Sequence, residues 1–284
     1  MRCMTDLPNI TNNAPTLVVG ATGKTGRRVA AELTRRGIPV RAGSRSATPA
    51  FDWDDATTWA PALAGARAAY VSFFPDLAVP GAGEAVGALA ALAAREGVER
   101  LVLLSGRGEN EAQRAEEMVR ASGVPTTIVR ASWFCQNFSE SFLLDAVLSG
   151  TVALPVEGIA EPFVDADDIA AVAVAALTED RHAGEVYEVT GPRLLTFADA
   201  VAEIAAATGR ELSYVSVPLD AWTAELATAG VDADTIGLLS YLFAEVLDGR
   251  NAYTTDGVQR ALGRPPRDFR AFAADTAATG IWHA

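Results

Sequence analysis

Residues 18–30 read VVGATGKTGRRVA, and this stretch decides the fold. The letters GKT at residues 23–25 resemble the end of a Walker loop, G-x-x-x-x-G-K-[ST], which wraps the phosphates of a nucleoside triphosphate. The spacing does not fit that loop, because the position five residues before Gly23 is Val18, in the apolar run of a predicted strand. The loop begins only at Gly20, so it is too short to wrap a triphosphate.

The spacing G-x-x-G-x-x-G fits a dinucleotide-binding turn instead. A strand predicted over residues 16–19 enters the turn, and a helix predicted over residues 24–36 leaves it. One glycine permits the tight bend, another lets the backbone approach a pyrophosphate, and a third lets helix and strand pack closely. The pyrophosphate would lie at the helix N-terminus, where free amides and the helix dipole favour an anion. The predicted binding residues of this turn are Gly20, Thr22, Gly23, Lys24, Thr25 and Gly26.

Strands and helices alternate along the first half of the chain. This alternation predicts an α/β protein with a doubly wound parallel sheet, the Rossmann fold, covered by helices on both faces. The ligands of such sheets bind beyond the carboxyl ends of the strands. The strands predicted after the first span residues 39–43, 50–53, 66–74, 100–104 and 126–129.

The end of the second predicted strand indicates which dinucleotide is bound. An NAD site usually places a carboxylate there against the ribose hydroxyls, whereas an NADP site favours arginine beside the 2′-phosphate. Here the strand ends in Ser44-Arg45, with no carboxylate. Arg45 can hold a phosphate bidentately, Ser44 can donate a hydrogen bond, and Lys24 adds a point charge. We therefore expect NADP(H), with NADPH preferred over NADH; a solvated Arg45 in the loop is the alternative.

The regular alternation of strands and helices ends near residue 150, and we infer the domain organisation from this change. We expect a flexible polar leader over residues 1–15, an NADP(H)-binding Rossmann domain over residues 16–150, and a smaller C-terminal substrate lobe over residues 151–284. The last strands of the sheet are predicted to be interleaved with this lobe. A homo-oligomer is left open, because the helix faces do not separate core from interface.

Composition and charge exclude several classes of function. A formal net charge of −13 argues against non-specific binding to nucleic acid or anionic membranes. No apolar run reaches the ~18 residues of a membrane span. The N-terminus lacks the apolar core of a secretory signal, so we expect a cytoplasmic protein that acts on a small molecule.

The inventory of reactive side chains is short. Lys24 is the only lysine, His182 and His283 are the only histidines, and Cys3 and Cys135 are the only cysteines. We expect His182 to be solvated, since it lies in a polar turn. A Ser-His-Asp triad and a metal site are therefore not expected.

Four stretches of the chain, taken in order, carry a family resemblance. The stretches are Gly20-x-x-Gly23-x-x-Gly26, residues 103–106 (LLSG), residues 128–138 (IVRASWFCQNF) and residues 162–170 (PFVDADDIA). Together they resemble the NmrA-like group of atypical short-chain dehydrogenases/reductases over nearly the whole chain. The resemblance implies a Rossmann domain, NADP(H), and a protein similar to quinone, triphenylmethane-dye and azo-dye reductases.

The resemblance also implies where the two ends of the cofactor lie. It places Asp52 and Trp53 beside the adenine. It places Phe73, Phe74 and Ser105 near the nicotinamide.

The chain departs from the usual short-chain reductases in its proton donor. Those enzymes commonly use Tyr-x-x-x-Lys, in which the lysine lowers the tyrosine pKa. Lys24 lies in the glycine loop, and no tyrosine stands four positions before it. Reduction through a tyrosine acid is therefore not expected. Hydride transfer itself is the cofactor's chemistry, and a quinone, imine or cationic dye can collect its proton from water.

Aromatic side chains beyond predicted strand ends are candidates for the acceptor pocket, where they would stack on a flat molecule. Phe74 and Trp133 follow strand ends directly, and Tyr241 is a candidate for a lid. Phe134 has the same position, although a place in the core is the favoured alternative for it.

Four polar residues are candidates for contacts with the acceptor. Gln136 and Asn137 could hydrogen-bond a substrate carbonyl or cap the helix that follows. Ser105 is expected to orient the ligand, since no base stands near it in the sequence. Arg107 could stabilise developing negative charge or form a surface salt bridge. Ser105 and Arg107 are the only catalytic candidates, and the catalytic residues stay otherwise unknown.

Three classes of function stay open. The leading hypothesis is an NADPH-dependent reductase of a small, planar, electron-poor acceptor. The alternatives are a non-catalytic NADP(H) sensor that binds another protein, and a lyase or isomerase on the same scaffold. All three classes bind the cofactor, so binding alone does not separate them.

Overall fold

The glycine turn lies at the end of a strand that is buried on both faces. The computed structural model describes residues 14–283, so the predicted leader falls almost wholly outside the described residues. In the strand at residues 16–19 every side chain is buried, because the sheet is covered on both faces and a continuous apolar run suits that position. The strands of the described part are β1 (Thr16–Val19), β2 (Val40–Gly43), β3 (Ala68–Val71), β4 (Arg100–Gly106), β5 (Thr126–Ala131), β6 (Thr151–Leu154), β7 (Ala160–Glu161), β8 (Val186–Val189), β9 (Leu195–Thr196) and β10 (Ser213–Ser216).

Helices connect the strands of the first half and build most of the second half. A five-residue π-helical segment, Leu242–Val246, continues one of them. The α-helices of the described part are α1 (Lys24–Arg35), α2 (Trp59–Leu63), α3 (Ala82–Arg95), α4 (Asn110–Arg120), α5 (Asn137–Glu140), α6 (Leu144–Ser149), α7 (Ala166–Thr178), α8 (Phe197–Thr208), α9 (Leu219–Thr228), α10 (Ala233–Tyr241), α11 (Gly257–Leu262) and α12 (Phe269–Ala278).

The main sheet is a six-stranded, all-parallel, doubly wound sheet with the order β2-β1-β3-β4-β5-β8. The predicted fold class, a Rossmann-like α/β fold, is confirmed. The chain moves from β1 to β2 on one side and then to β3 on the other, so the direction of winding reverses at β1. Such a switch point opens a crevice beyond the carboxyl ends of the strands.

The two faces of the sheet bury separate clusters because side chains alternate along each strand. Leu17 and Val19 pack on the face covered by α3 and α4. Val18 packs on the opposite face, which is covered by α1 and α7. Covering both faces fixes the register of β1, since a slip of one residue would exchange the two sets.

The second half adds an aromatic cluster beside the sheet. Phe138, Phe163, Phe197 and Phe269 are fully buried and meet edge to face or tilted, with ring centroids 5.1–6.1 Å apart. Two small sheets, β6 with β10 and β7 with β9, lie in the same half. Strand β8 also comes from this half but completes the main sheet, while the boundary near residue 150 stays a prediction.

Residues 50–53 do not form the predicted third strand. The Phe51 amide donates to the Ser44 carbonyl, and the Asp52 carbonyl accepts from the indole of Trp59 at 2.7 Å. These backbone groups are satisfied locally, so they do not pair with a neighbouring strand. Ser105 consequently lies in the fourth strand and not the fifth.

His182 is buried, and the expectation of a solvated histidine is wrong. Its side chain has no exposed surface, and its Nδ1 lies 2.8 Å from the Tyr187 hydroxyl. Burial lowers the pKa of His182, which favours the neutral ring. The residues around His182 in the sequence are polar, so they did not indicate that this histidine is buried.

Two glycines let α1 begin directly on top of β1. Gly20 has a φ of 77°, which side chains rarely adopt. At Gly26 a Cβ would overlap the carbonyl oxygen of Gly20. The helix can therefore reach the end of the strand only with glycine at both positions.

We predict that Gly26→Ala destabilises the protein by about 1–3 kcal/mol, since an added methyl group must displace backbone. Urea unfolding followed by circular dichroism measures this loss. The matched control is Gly237→Ala in α10, where an added Cβ meets nothing within 4 Å. That control should stabilise the helix by up to about 1 kcal/mol. An unchanged free energy of unfolding in Gly26→Ala would contradict this account of the turn.

Candidate active-site cleft

A cleft of about 1120 Å³ lies at the carboxyl edge of the sheet, at the switch point beside β1. Loops that follow β1 to β5 all contribute to its wall, because the carboxyl ends of parallel strands meet at one edge. Most of the predicted site residues lie together here. The predicted residues that line the cleft are Gly20, Thr22, Gly23, Lys24, Thr25, Ser44, Arg45, Asp52, Trp53, Phe73, Phe74, Ser105, Arg107, Trp133, Phe134 and Asn137.

The N-terminus of α1 offers unpaired amides to this cleft. Gly23 is the N-cap, so no side chain caps the helix, and the first turn carries no acid. Gly26 does not line the cleft; its place is the contact between helix and strand described above. The Gly23 amide donates to the Gly20 carbonyl at 2.9 Å, whereas the other amides of the first turn have no partner within the helix, so an anion in the cleft could accept from them.

Cationic side chains stand around this helix start. Lys24 lines the cleft, and burial lowers its pKa while the carboxylate of Glu140 opposes that effect. Glu140 also forms salt bridges with Arg27 and Arg28. The local charge is therefore positive although the whole chain is strongly acidic.

The loop after β2 presents an arginine without an ionic partner. Arg45 is exposed, lines the cleft, and forms no salt bridge with any of residues 14–283. Arg41, two residues into β2, is by contrast occupied, since it donates to the carbonyls of Ala62 and Ala64 at 2.7 Å. Arg45 is thus the guanidinium of this loop that is available for a phosphate.

Trp53 and Phe73 form an aromatic wall with ring centroids 4.8 Å apart. Trp53 also meets Phe51 edge to face at 5.0 Å, so its ring is held on two sides. Phe74 is 80% exposed and stands at the mouth of the cleft. Trp53 and Phe73 are therefore packed at the base of the wall, whereas Phe74 at the rim is exposed.

Ser105 is buried, and its hydroxyl donates to Oε1 of Glu116 at 2.6 Å. Glu116 is held in turn by Arg130 at 2.6 Å. The hydroxyl of Ser105 therefore already donates its proton to Glu116, so towards a ligand it can only accept a hydrogen bond.

Arg107 is also buried, so the alternative of a surface salt bridge is wrong. Its Nε lies 3.2 Å from Oε2 of Glu188, and its Nη1 donates to the Asn251 carbonyl at 2.9 Å. The guanidinium stacks on Tyr253 at 4.0 Å from the ring centroid. Its Nη2 is buried and has no hydrogen-bond partner among the described residues.

Gln136 does not line the cleft, and its predicted role as a substrate contact is wrong. Its amide donates to Asp165 at 2.7 Å and accepts from the backbone of Ala166 at 2.7 Å. A buried amide must satisfy both of its ends, and here both are satisfied at the N-terminus of α7. Gln136 thus ties the segment after β5 to that helix.

Tyr241 lies beside the cleft but not in its wall. Leu238, Leu242 and Val246 line it instead, so the predicted position is wrong by a fraction of a helical turn. Phe134 packs against the core cluster on one face of the sheet, as the favoured alternative has it, and it also lines the cleft, so a contact with the acceptor stays a prediction.

Five acidic side chains line the cleft that no sequence pattern indicated, namely Asp54, Asp76, Glu109, Glu140 and Glu161, and burial raises the pKa of Asp76, Glu109 and Glu161. Burial, with the facing Asp76, raises the pKa of Glu109 to about 9. Burial raises the pKa of Glu161 to about 7, although Arg107 opposes the shift. Glu109 reads in the sequence as an ordinary acid at the start of a charged helix, and only its burial distinguishes it.

Two further properties of residues 14–283 bear on the class of protein. In this part of the chain no three histidine, cysteine or acidic side chains are grouped so as to hold a metal ion. None of its helices combines the length and the hydrophobicity that crossing a membrane requires.

The chain is similar to known proteins over nearly its full length. The model of the NmrA-like family matches residues 110–251, and the NAD(P)H-binding model matches residues 20–180. The (4-alkanoyl-5-oxo-2,5-dihydrofuran-3-yl)methyl phosphate reductase of Streptomyces griseus is 32% identical, over 92% of this chain and 97% of that protein. The NAD(P)H azoreductase of Xenophilus azovorans is 30% identical, over 90% of this chain and 96% of that protein.

The fold has close counterparts among solved structures. The NADPH-dependent quinone oxidoreductase of Escherichia coli, solved with NADPH, superposes with a TM-score of 0.77 over 94% of this chain and 99% of that one, at 18% identity. At that identity the likeness speaks for the fold alone. The family matches and the two relatives go further: the chain belongs to the NmrA-like family of NAD(P)H-binding proteins, a family that includes reductases.

Proposed function

We propose that the protein is an NADPH-dependent reductase that transfers a hydride to a small, planar, electron-poor acceptor without a Tyr-Lys acid pair. The observation that carries the proposal is one continuous cleft. It runs from the glycine turn and Arg45 at one end to the aromatic side chains Trp133 and Phe134 at the other. A nicotinamide dinucleotide and a flat acceptor both need such a length of surface.

The residues at one end of the cleft fit a dinucleotide phosphate. Gly20 and Gly23 line the cleft without side chains, and the uncapped amides of α1 face it. Arg45 supplies an unpaired guanidinium where a 2′-phosphate would distinguish NADPH from NADH. Lys24 adds a second positive charge near the same end.

The other end of the cleft fits a flat molecule. Trp53 and Phe73 would bound the cofactor, while Trp133 and Phe134 provide apolar faces for stacking. The bound nicotinamide supplies the hydride, and the chain orients the acceptor against it and excludes water. Ser105 can accept a hydrogen bond, and the buried guanidinium of Arg107 favours negative charge that develops on the acceptor.

The substrates of related proteins support this acceptor class. Azo compounds, quinones and unsaturated furanones are flat, conjugated and electron-poor, and each name denotes the substrate of that relative. We extend to this chain only what these substrates share. The proposed setting is the cytoplasm, where NADPH is available as reductant.

We predict that the purified protein oxidises NADPH in the presence of quinones, azo dyes or unsaturated carbonyls, and not with simple aldehydes, because only flat acceptors stack in the cleft. The fall in nicotinamide absorbance measures turnover across such a panel. Tight NADPH binding by calorimetry without oxidation by any acceptor would instead favour the sensor alternative. Substrate conversion without net cofactor consumption would favour the lyase or isomerase.

We predict that Arg45→Ala raises the KM for NADPH by about 10- to 100-fold, since a charge-assisted hydrogen bond contributes about 1.5–3 kcal/mol. The KM for NADH should stay nearly unchanged, because NADH lacks the phosphate. Initial rates with both cofactors measure the difference. Arg67→Ala is the matched control, since Arg67 is exposed, lies away from the cleft and, among residues 14–283, forms a salt bridge only with Glu99, at 2.9 Å. Equal losses with both cofactors would contradict the assignment of Arg45.

A further inference from the structure

Two carboxyl groups face each other in the wall of the cleft. Asp76 lies in the loop after β3, and Glu109 directly precedes α4. Their side chains are within hydrogen-bonding reach of one another. Two carboxyl groups form such a bond only when one of them carries a proton. Glu109 is 6% exposed, and its Oε2 has no hydrogen-bond partner among the described residues.

The pair is held in position by backbone groups. Asp76 Oδ1 accepts from the amide of Ala78 at 2.8 Å. The Glu109 carboxyl lies against Gly106 at the end of β4, where any Cβ would overlap it. The Glu109 carboxyl is therefore held at the strand end that also carries Ser105 and Arg107, and the Asp76 carboxyl is held in the loop after the neighbouring strand β3.

No cation neutralises the pair. Among residues 14–283, neither Asp76 nor Glu109 forms a salt bridge, and Arg107 is directed to Glu188 instead. Tyr241 in α10 is close to both acids, and burial, together with the charges of Glu109 and Asp76, raises its pKa. Glu111 and Arg250 are the other charged groups around that tyrosine. Burial without a counter-ion favours the neutral acid.

The pKa shifts of both acids agree with this geometry. Burial raises the pKa of Glu109 to about 9, and the charge of Asp76 adds to the effect. Burial raises the pKa of Asp76 as well, against the amide hydrogen bond that lowers it. One proton thus remains on the pair at neutral pH.

We propose that the Asp76–Glu109 pair is the proton donor of the cleft, and that it fits the site to neutral conjugated acceptors. This inference rests on the proposed reductase function. A neutral quinone or unsaturated carbonyl that receives a hydride becomes an oxyanion, while NADPH becomes NADP⁺. The O–H bond of the carboxyl breaks, a new O–H bond forms on the product, and solvent returns a proton to the pair. This replaces the expectation that the acceptor collects its proton from water.

Glu161 is the competing donor in the same cleft. It is 1% exposed, and its Oε1 has no hydrogen-bond partner within the described residues. Its surroundings differ, however, because the positive charge of Arg107 favours its carboxylate. Glu109 has no such cation, so it retains its proton over a wider range of pH.

The test compares a benzoquinone with a cationic triphenylmethane dye, because the dye becomes neutral on receiving hydride and needs no proton. Glu109→Gln should lower kcat for the quinone by about 100-fold at pH 7 and change kcat for the dye by less than about twofold, as expected for loss of a general acid. The Kd for NADPH should stay unchanged, which also establishes that the variant is folded. Equal effects on both acceptors, or a selective effect of Glu161→Gln in place of Glu109→Gln, would overturn the proposal.

The wild-type protein gives a second test that needs no variant. Its kcat with the quinone should be level at neutral pH and fall above about pH 9, as Glu109 loses its proton. Asp76→Asn should move this fall to lower pH, because the facing charge is removed. A level profile through pH 10 would contradict the assignment.

An infrared measurement separates this inference from the reductase function. Without cofactor or acceptor, the wild-type protein at pH 8 should show the C=O band of a protonated carboxyl group that Glu109→Gln lacks. Reduction of neither acceptor by the wild type would sink the reductase function, and the band would still decide whether the pair holds a proton. Absence of the band would sink the proton donor even if both acceptors are reduced.

Discussion

The contact of Gly26 with the carbonyl of Gly20 is the constraint on which the site depends. It lets α1 begin at the end of β1, so unpaired amides open into the crevice where the sheet reverses its winding. A side chain at Gly26 would push the helix off the strand, and one at Gly20 would strain a left-handed backbone. The cleft, its end beside the uncapped helix α1 and its place beside β3 and β4 all follow from this approach.

The charges of the cleft are divided between its two ends. Lys24 and Arg45 stand at the end near α1, whereas Glu109 and Asp76 stand beyond β3 and β4. The net charge of −13 describes neither end. A ligand with phosphates at one end and a reacting group at the other would meet positive charge at the first end and, at the second, a carboxyl pair that retains one proton.

Local patterns in the sequence predicted what local physics determines. The glycine turn and the alternation of strands and helices depend on neighbouring residues, and the structure has both. Tertiary burial decided the remainder. Both ends of the Gln136 amide form hydrogen bonds at the start of α7. The backbone groups around Asp52 form local hydrogen bonds instead of pairing with a neighbouring strand. Neither the spacing nor the composition of the sequence predicts these two findings.

The Asp76–Glu109 pair can take the place of Tyr-x-x-x-Lys as a proton donor that needs no lysine. In Tyr-x-x-x-Lys a cation lowers the pKa of a weak acid towards neutrality. The chain has a single lysine, and it stands at the glycine turn. Desolvation of Glu109 against Asp76 works from the other direction, since it raises the pKa of a stronger acid past neutrality. Either route yields a group that is protonated at neutral pH and able to release its proton to an oxyanion. The second route requires no cation, only a carboxyl group enclosed by a fold that withholds water and counter-ions from it.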